Sequence, residues 1–242
     1  MSELLHDHRF LGESDAYRSA RNELLQAEIN LRRNIEEVAA LRRKLPLGGK
    51  VPQDYVFDEG SPHLNNSAST RQTRLSELFE PGKDTLALYS YMYGPAMASP
   101  CVNCTSMLDS LNGAAPHVSQ RINLAVAAQS PLERIRTVAR ERIWRNLRLL
   151  SSANNTYNQD YFGEDAKGGQ LPSLNIFVRR DGAIHHFFHT ELMFAPSDPG
   201  QDQRHIDMIW PLWNLFDFTP EGRGKGWYPR LSYSQTVRIS QP

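Results

Sequence analysis

Cysteine, net charge and long apolar runs are all scarce in this chain. Two cysteines in 242 residues exclude a disulfide-stapled scaffold, and their spacing of three residues is too short to cross-link distant parts of the chain. The 27 basic and 27 acidic residues cancel, which excludes the overall positive field of a nucleic-acid-binding protein. No segment approaches the roughly 20 consecutive apolar residues of a membrane span. We therefore expect neither a nucleic-acid partner nor a membrane partner.

Several signatures of enzymes and of secretion are also absent. The chain contains no G-x-S-x-G nucleophile elbow, no phosphate-binding glycine loop and no dinucleotide fingerprint. Its first ten residues are charged and lack the apolar core of a signal peptide. These absences predict a cytoplasmic protein that works without a cofactor.

A long amphipathic helix is predicted near the N-terminus. Apolar residues recur every three to four positions across residues 14–44, Ser14 is a typical N-cap residue, and Pro46 ends the pattern. We interpret residues 1–49 as a helical extension and residues 50–242 as the main domain. The apolar face of the helix predicts packing either on that domain or on a second copy of the chain, which would give a homodimer through the helix.

Strand and helix patterns alternate in the rest of the chain. Strands are predicted at residues 85–94 and 122–130, followed by a helix at residues 131–144. Residues 173–178 and 183–189 flank an Arg-Asp-Gly turn and predict a β-hairpin. Parallel βαβ elements followed by an antiparallel hairpin predict an α/β sandwich with a mixed central sheet.

Cys101 and Cys104 form a C-x-x-C motif that follows a predicted strand and begins a predicted helix. At a helix N-terminus, the backbone dipole and the free N–H groups stabilise a thiolate over a thiol. Cys101 is therefore the predicted nucleophile, and Cys104 is predicted to resolve the mixed disulfide. Val102 and Asn103, between the two cysteines, are predicted to contact the substrate.

Two other interpretations of the cysteine pair compete with this one. A structural zinc site needs about four ligands, and His185, His186 and His189 are the nearest candidates for the missing half. In a regular strand His185 and His189 share one face and His186 lies on the other, so at most two of them converge. The second alternative is a pair of ordinary buried thiols. We favour the redox pair over both and expect no metal.

A set of features spread along the chain resembles one known family. The features are the charged helix running into Arg42-Arg43-Lys44-Leu45-Pro46, the DYVF at 54–57, the LSELF at 75–79, Tyr93-Gly94-Pro95, the cysteine pair, Tyr157-Asn158, and the DFTPEGR at 217–223. They resemble a bacterial family of uncharacterised thioredoxin-like proteins, which are predicted dithiol–disulfide oxidoreductases. The resemblance implies a thioredoxin-like sandwich with peroxiredoxin-like insertions and a long N-terminal helix. It also implies a redox-active disulfide and a protein or small-molecule thiol or disulfide as partner.

The segment that begins with Leu171-Pro172-Ser173 adds a second resemblance. It is similar to the part of thioredoxins in which a cis-proline opens a strand and faces the cysteine pair. Pro172 is the matching residue in this chain, and the resemblance assigns it to the substrate side of the site. The bacterial family of uncharacterised proteins usually has proline after the first cysteine and serine after the second, where this chain has Val102 and Thr105. The dipeptide between the cysteines tunes their potential, so Val102-Asn103 leaves the direction of the exchange open.

The order of strand, loop and cysteine also resembles peroxiredoxins, in which a thiolate acts beside a hydroxyl group and an arginine. Ala98 stands where the hydroxyl is expected, and Arg148 and Arg223 are the candidate cations. A thiol peroxidase and a non-enzymatic thioredoxin-fold binding protein therefore stay as alternatives. The sequence does not place His186 or Arg223 relative to the cysteines.

Overall fold

The chain forms two compact units that divide between Pro46 and Leu47. The structure is a computed structural model that describes residues 5–66 and 69–233. None of the helices in these two ranges combines the length and the apolar content that crossing a bilayer requires.

The first unit contains one long helix, α1 (Asp15–Arg43). It begins at Ser14, whose hydroxyl oxygen accepts a hydrogen bond from the Tyr17 backbone N–H at 3.2 Å, as an N-cap residue does. The basic side chains of Arg42 and Arg43 lie in its last turn, where they offset the negative end of the helix dipole. The helix predicted from the apolar pattern is confirmed, and the homodimer through it stays a prediction.

The second unit is built on one seven-stranded mixed sheet with helices packed against it. The strands are β1 (Val56–Gly60), β2 (Thr70–Arg74), β3 (Thr85–Ser90), β4 (Asn123–Ala128), β5 (Leu149–Ser151), β6 (Ser173–Arg180) and β7 (Ala183–His189). The helices are α2 (Val102–Val118), α3 (Leu132–Arg142), α4 (Tyr157–Asp160) and α5 (Pro211–Phe216), with 3₁₀ turns at Leu75–Leu78, Glu191–Met193 and Asp207–Ile209. The strand order across the sheet is β2-β1-β5-β4-β3-β6-β7.

The centre of this sheet has the topology that the sequence predicts. Strands β3, β4 and β5 run parallel, and α2 crosses from β3 to β4. Strand β6 pairs antiparallel with the other side of β3 and continues into β7. A βαβ unit and an antiparallel hairpin thus share one sheet, and the predicted α/β sandwich with a mixed central sheet is confirmed. Strands β1 and β2 extend it beyond β5.

Alternate residues of the central strands enter two apolar clusters, one on each face of the sheet. Tyr89 of β3 packs in a cluster with Cys104 of α2, and we call this side the cysteine face. Leu88, one position earlier, packs in a cluster with Phe177 of β6 and Tyr161, and we call this side the opposite face. Because both faces are covered, residues 86–89 of β3 and 124–128 of β4 are apolar without alternation, which explains the strong signal of these strands in the sequence.

Three predicted elements end earlier than expected: β4 stops at Ala128 instead of residue 130, and local backbone geometry explains the other two. Strand β3 stops at Ser90 instead of continuing to residue 94, because the Tyr93 backbone N–H turns back to donate to the Tyr91 carbonyl at 2.7 Å. Helix α3 stops at Arg142 instead of continuing to residue 144, because Ile143 has the left-handed backbone conformation, with φ of 59°.

The predicted hairpin between β6 and β7 is confirmed. Asp181 and Gly182 have φ values of 50° and 76°, and a two-residue type I′ turn requires positive φ at both positions. Glycine adopts this conformation without strain, and aspartate tolerates it better than most residues.

Strand β7 contains a bulge that the sequence analysis did not predict. His186 pairs with Phe177 and Phe188 pairs with Ile176, so that one residue of β7 between them has no partner. An extra residue reverses the alternation of the side chains that follow it. His186 and His189 consequently line the same cavity. The expectation that His186 lies on the other face from His189 is wrong.

Helix α2 is held in the fold by a polar contact at its middle. The Trp144 ring is almost fully buried, and its Nε1–H donates to Asp109 Oδ1 of α2 at 2.8 Å. Arg142 Nε donates to the same oxygen at 3.0 Å, and the Arg142 guanidinium also pairs with Oδ2. The Tyr91 ring lies edge-on to Trp144, with ring centroids 5.8 Å apart. These contacts tie α2 to the C-terminal end of α3.

Candidate active site

The loop between β3 and α2 delivers Cys101 to the start of α2. The Cys101 backbone N–H donates to the Met92 carbonyl at 3.0 Å, which closes the loop. The Arg134 guanidinium of α3 donates to the Pro95 carbonyl at 3.0 Å and to the Met97 carbonyl. One side chain of the neighbouring helix therefore braces the outer part of this loop.

Cys101 is the N-cap residue of α2. Its backbone is extended, with φ of −60° and ψ of 124°, and Val102 is the first helical residue. The Cys101 carbonyl accepts from the Thr105 N–H at 3.0 Å and from the Thr105 hydroxyl at 2.8 Å. Since the Thr105 proton is used in this way, the Tyr91 hydroxyl is the donor in its 2.7 Å contact with the Thr105 oxygen. These bonds fix the backbone that carries the Cys101 sulfur.

The environment of Cys101 favours its thiolate. Both cysteines are free thiols, and Cys101 is half-buried. Its side chain makes no capping hydrogen bond of ordinary geometry, but the Cys104 thiol and the N–H groups of Asn103 and Cys104 face the Cys101 sulfur. The Cys104 thiol contributes most, and together these groups outweigh the effect of burial and lower the pKa of Cys101 to about 6.

Cys104 has the opposite environment. It is 1% exposed and packs in the apolar cluster on the cysteine face. Burial, followed by the interaction with Cys101, raises the pKa of Cys104 well above that of an ordinary thiol. Near neutral pH the site therefore holds one thiolate, at Cys101, next to one protonated thiol, at Cys104.

Tyr89 places a hydroxyl group beside the buried thiol. The Tyr89 side chain is fully buried, and its hydroxyl makes no hydrogen bond of ordinary geometry among the described residues. Burial first, and then the neighbouring Cys104 sulfur, raise the pKa of Tyr89 well above its usual value. The group stays protonated, and its O–H is free to donate to a sulfur anion that forms at Cys104.

Val102 and Asn103 form the first turn of α2 between the two cysteines, and both are half-buried. The Asn103 Oδ1 atom is buried and has no hydrogen-bond partner within the described part of the chain. The predicted contact of these two residues with a substrate stays a prediction.

Pro172 lies next to the strand end from which the cysteine loop departs. It precedes Ser173, the first residue of β6, which pairs with Ser90, the last residue of β3. The expectation of a cis-proline is wrong, because no peptide bond among residues 5–66 and 69–233 is cis. The Leu171 N–H donates to the Gly163 carbonyl at 2.9 Å, which ties the residue before the proline to the loop after α4. The role of Pro172 on the substrate side stays a prediction.

Residues 7–236 match the family described as "Bacterial protein of unknown function (DUF899)". The chain belongs to this family. The resemblance seen in the sequence, to a bacterial family of uncharacterised proteins, is thereby confirmed. Comparison with curated proteins finds no match.

Three solved structures illustrate what the chain is similar to. AhpC of Enterococcus faecalis is 14% identical, with 67% of this chain and 87% of that chain covered and a TM-score of 0.44. The reduced 2-Cys peroxiredoxin of Plasmodium vivax is 18% identical, with coverage of 67% and 95% and a TM-score of 0.42. The exposed lipoprotein thioredoxin Etrx1 of Streptococcus pneumoniae is 12% identical, with coverage of 64% and 97% and a TM-score of 0.38. Similarity at this level does not indicate a function, so the function of this DUF899 chain has to follow from the chemistry of its own site.

The other candidate residues have partners other than the cysteines. Arg148 donates to the two carboxylate oxygens of Glu59 at 2.7 and 3.0 Å, and Arg223 donates to the carboxylate of Asp217 at 2.8 and 2.9 Å. His186 lines a cavity whose wall contains no cysteine. Within the described ranges, no group of three or more His, Cys, Asp or Glu side chains has the arrangement of a metal site.

Three residues that shape the site were not identified from the sequence. Thr105 and Tyr89 act through their hydroxyl groups, and only their positions on the cysteine face were predictable from strand and helix periodicity. Arg134 comes from α3 and contacts only backbone carbonyls of the loop. No pattern in the sequence marks such a contact, because any loop of suitable shape offers carbonyl groups.

Proposed function

We propose that this protein is a thiol–disulfide oxidoreductase in which Cys101 attacks and Cys104 resolves. The observation that supports the proposal is the asymmetry of the two thiols. The pKa of Cys101 is lowered to about 6 at the start of α2, whereas the pKa of the buried Cys104 is raised. A thiolate next to a protonated thiol is the state from which dithiol–disulfide exchange starts.

The exchange takes two steps that conserve atoms and electrons. The Cys101 thiolate first attacks one sulfur of a substrate disulfide, forms a mixed disulfide and releases the other substrate sulfur as a thiolate. Cys104 then attacks the Cys101 sulfur, the bond from Cys101 to the substrate sulfur breaks, and the Cys104 proton passes to that leaving sulfur. The reduced substrate therefore departs with one sulfur as a thiol and the other as the thiolate of the first step. Two electrons move from the protein to the substrate, and the protein ends with a Cys101–Cys104 disulfide. A thiol reductant restores the protein by the reverse steps, so the relative potentials set the direction.

Tyr89 assists the second step. Once Cys101 is in a mixed disulfide it carries no charge, and the repulsion that opposes ionisation of Cys104 is gone. The Tyr89 hydroxyl, already beside the Cys104 sulfur and otherwise without a partner among the described residues, then donates to the new thiolate. A hydrogen bond to an anion in a buried site is stronger than one between neutral groups.

The substrate reaches the site through Cys101. This sulfur is half-buried and Cys104 is not exposed, so only the first cysteine is accessible to a protein or small-molecule disulfide. The loop residues before it, Pro95, Ala96, Ala98 and Ser99, are exposed. An incoming chain would contact this loop together with Val102, Asn103 and Pro172.

The thiol peroxidase alternative has less support. Ala98 carries no hydroxyl group, and the Thr105 hydroxyl already donates to the Cys101 carbonyl. Arg148 is paired with Glu59, while Arg134 donates its guanidinium protons to loop carbonyls. The site as described therefore favours attack on a disulfide over attack on a peroxide. A pure binding protein would not need two thiols with opposite pKa shifts.

A Cys104→Ser variant is expected to trap the mixed disulfide. Incubation with oxidised glutathione should leave about one glutathione per chain on this variant, because the resolving sulfur is missing. The wild-type chain should instead end as an internal disulfide without adduct. Intact-protein mass spectrometry distinguishes the two products.

The matched control for the trap is Cys101→Ser. Its remaining thiol is buried and protonated, so we expect little adduct over the same time. Equal adduct on both single variants, or a stable adduct on the wild-type chain, would contradict the assigned roles.

A further inference from the structure

A cavity of about 630 Å³ lies on the opposite face of the sheet, away from the cysteines. Binding sites for small molecules typically measure roughly 300–1,000 Å³. Among the lining residues, those that define its chemistry are Tyr161, Phe162, Asn175, His186, His189 and Phe194. The size of the cavity and its aromatic walls are those of a small-molecule site, and the thiol chemistry does not use it.

His189 is the unusual group in this cavity. Its side chain is 6% exposed, and neither ring nitrogen has a hydrogen-bond partner among the described residues. Buried polar groups are nearly always hydrogen-bonded, because leaving one unpaired costs folding free energy. Burial lowers the pKa of His189 below its usual value, so at neutral pH the ring offers one N–H donor and one nitrogen acceptor. Both ring nitrogens can therefore hydrogen-bond to a ligand in the cavity.

His186, which lines the same cavity, already has a hydrogen-bond partner in the protein. Its Nε2 atom lies 3.0 Å from Asn175 Oδ1, and since an amide oxygen only accepts, Nε2 carries the proton. Asn175 is fully buried and donates in turn to the Tyr157 hydroxyl at 3.3 Å. His186 therefore holds the wall in place, whereas His189 is available for recognition.

Two exposed aromatic rings stand beside His189. The Phe194 ring stacks on His189 with centroids 5.4 Å apart and an angle of 13°, and Phe162 lies edge-on to Phe194 at 5.7 Å. Phe162 is 57% exposed and Phe194 is 50% exposed. The φ of Phe162 is 53°, a conformation that bulky residues rarely adopt and that often marks functional sites. The backbone is strained in a way that presents an aromatic ring at the cavity.

The charges of the lining do not favour an anion. Lys50 and Glu191 contribute one charge of each sign, and Asp160 adds a second carboxylate. The Oδ2 atom of Asp160 already accepts from the Tyr55 and Thr156 hydroxyl groups, each at 2.7 Å. A neutral ligand can supply both the donor and the acceptor that match His189, whereas a cationic group such as an ammonium offers donors alone.

We propose that the cavity binds an uncharged, planar heteroaromatic small molecule. Its ring packs against Phe162 and Phe194, and its polar atoms supply the donor and the acceptor that the His189 ring nitrogens lack. The proposal does not depend on the thiol chemistry, since neither cysteine lines the cavity.

Benzimidazole is a suitable probe, because it is planar and carries one N–H and one unprotonated nitrogen at pH 7.5. Titrated into the full chain and followed by saturation-transfer difference NMR, it should bind with a Kd below about 1 mM. 1-Methylbenzimidazole keeps the ring but lacks the donor, and we expect it to bind at least about 5-fold more weakly. Absence of saturable binding up to about 10 mM, or equal binding of both probes, would overturn the proposal.

Two variants locate the binding. His189→Phe keeps an aromatic ring against Phe194 but removes both nitrogens, and it should weaken benzimidazole binding at least about 10-fold. His185→Phe is the matched control, because His185 lies in the same strand but outside the cavity lining, and it should leave the Kd unchanged. An unchanged pH profile of Cys101 alkylation shows that each variant is folded. Unchanged binding in a folded His189→Phe chain would contradict the assignment.

Discussion

Cys101 is expected to react with iodoacetamide along a pH profile whose midpoint is about 6. The Cys104 thiol and the backbone N–H groups at the start of α2 produce this lowered pKa against the opposing effect of burial. At pH 6 about half of Cys101 is thiolate, which is roughly 150-fold more than for a thiol with a pKa of about 8.5. The rate should level off above pH 7, at a plateau below that of an ordinary thiolate, because a less basic sulfur is a weaker nucleophile.

Two variants assign this profile. Cys101→Ser should abolish the reaction of the native chain, because the remaining Cys104 is buried. Cys104→Ala should move the midpoint upwards, since it removes the largest contribution to the lowered pKa of Cys101. A wild-type midpoint near 8.5 would show that the start of α2 does not activate the thiol.

Asp109→Ala is expected to lower the free energy of unfolding by about 2–4 kcal/mol. The substitution leaves the Trp144 Nε1–H buried without an acceptor and removes the carboxylate partner of Arg142. Asp109→Asn keeps an oxygen that accepts from Trp144 and should cost about 1–2 kcal/mol. Urea unfolding followed by tryptophan fluorescence measures both. Equal losses in the two variants, or losses under about 0.5 kcal/mol, would show that this contact does not anchor α2.

The centre of the fold was predictable because its strands carry strong local signals. Residues 86–89 and 124–128 form unbroken apolar runs, as is typical of strands covered on both faces, and Asp181-Gly182 specifies the hairpin turn. The ends of elements were less predictable, since they depend on single backbone choices such as the left-handed φ of Ile143.

The candidate site divides in the same way. Cys101 and Cys104 were predictable because a strand, a loop and a helix start follow one another locally in the chain. The Tyr89 hydroxyl meets Cys104 only through packing of β3 against α2, and the sequence contains no signal for that pairing. The bulge before Phe188 likewise has no signal in the sequence. Because it reverses the alternation of the strand, it places His186 and His189 in the lining of one cavity.

The proposal that Cys101 and Cys104 act as one two-electron couple is tested by redox titration of the full chain. The protein is equilibrated with mixtures of reduced and oxidised dithiothreitol, quenched with acid and tagged with a maleimide under denaturing conditions, and the tags are counted by intact mass. We expect chains with two tags or none, interconverting with a slope of about 30 mV per tenfold change in ratio. Two tags on every chain at all ratios would contradict a redox role for the pair.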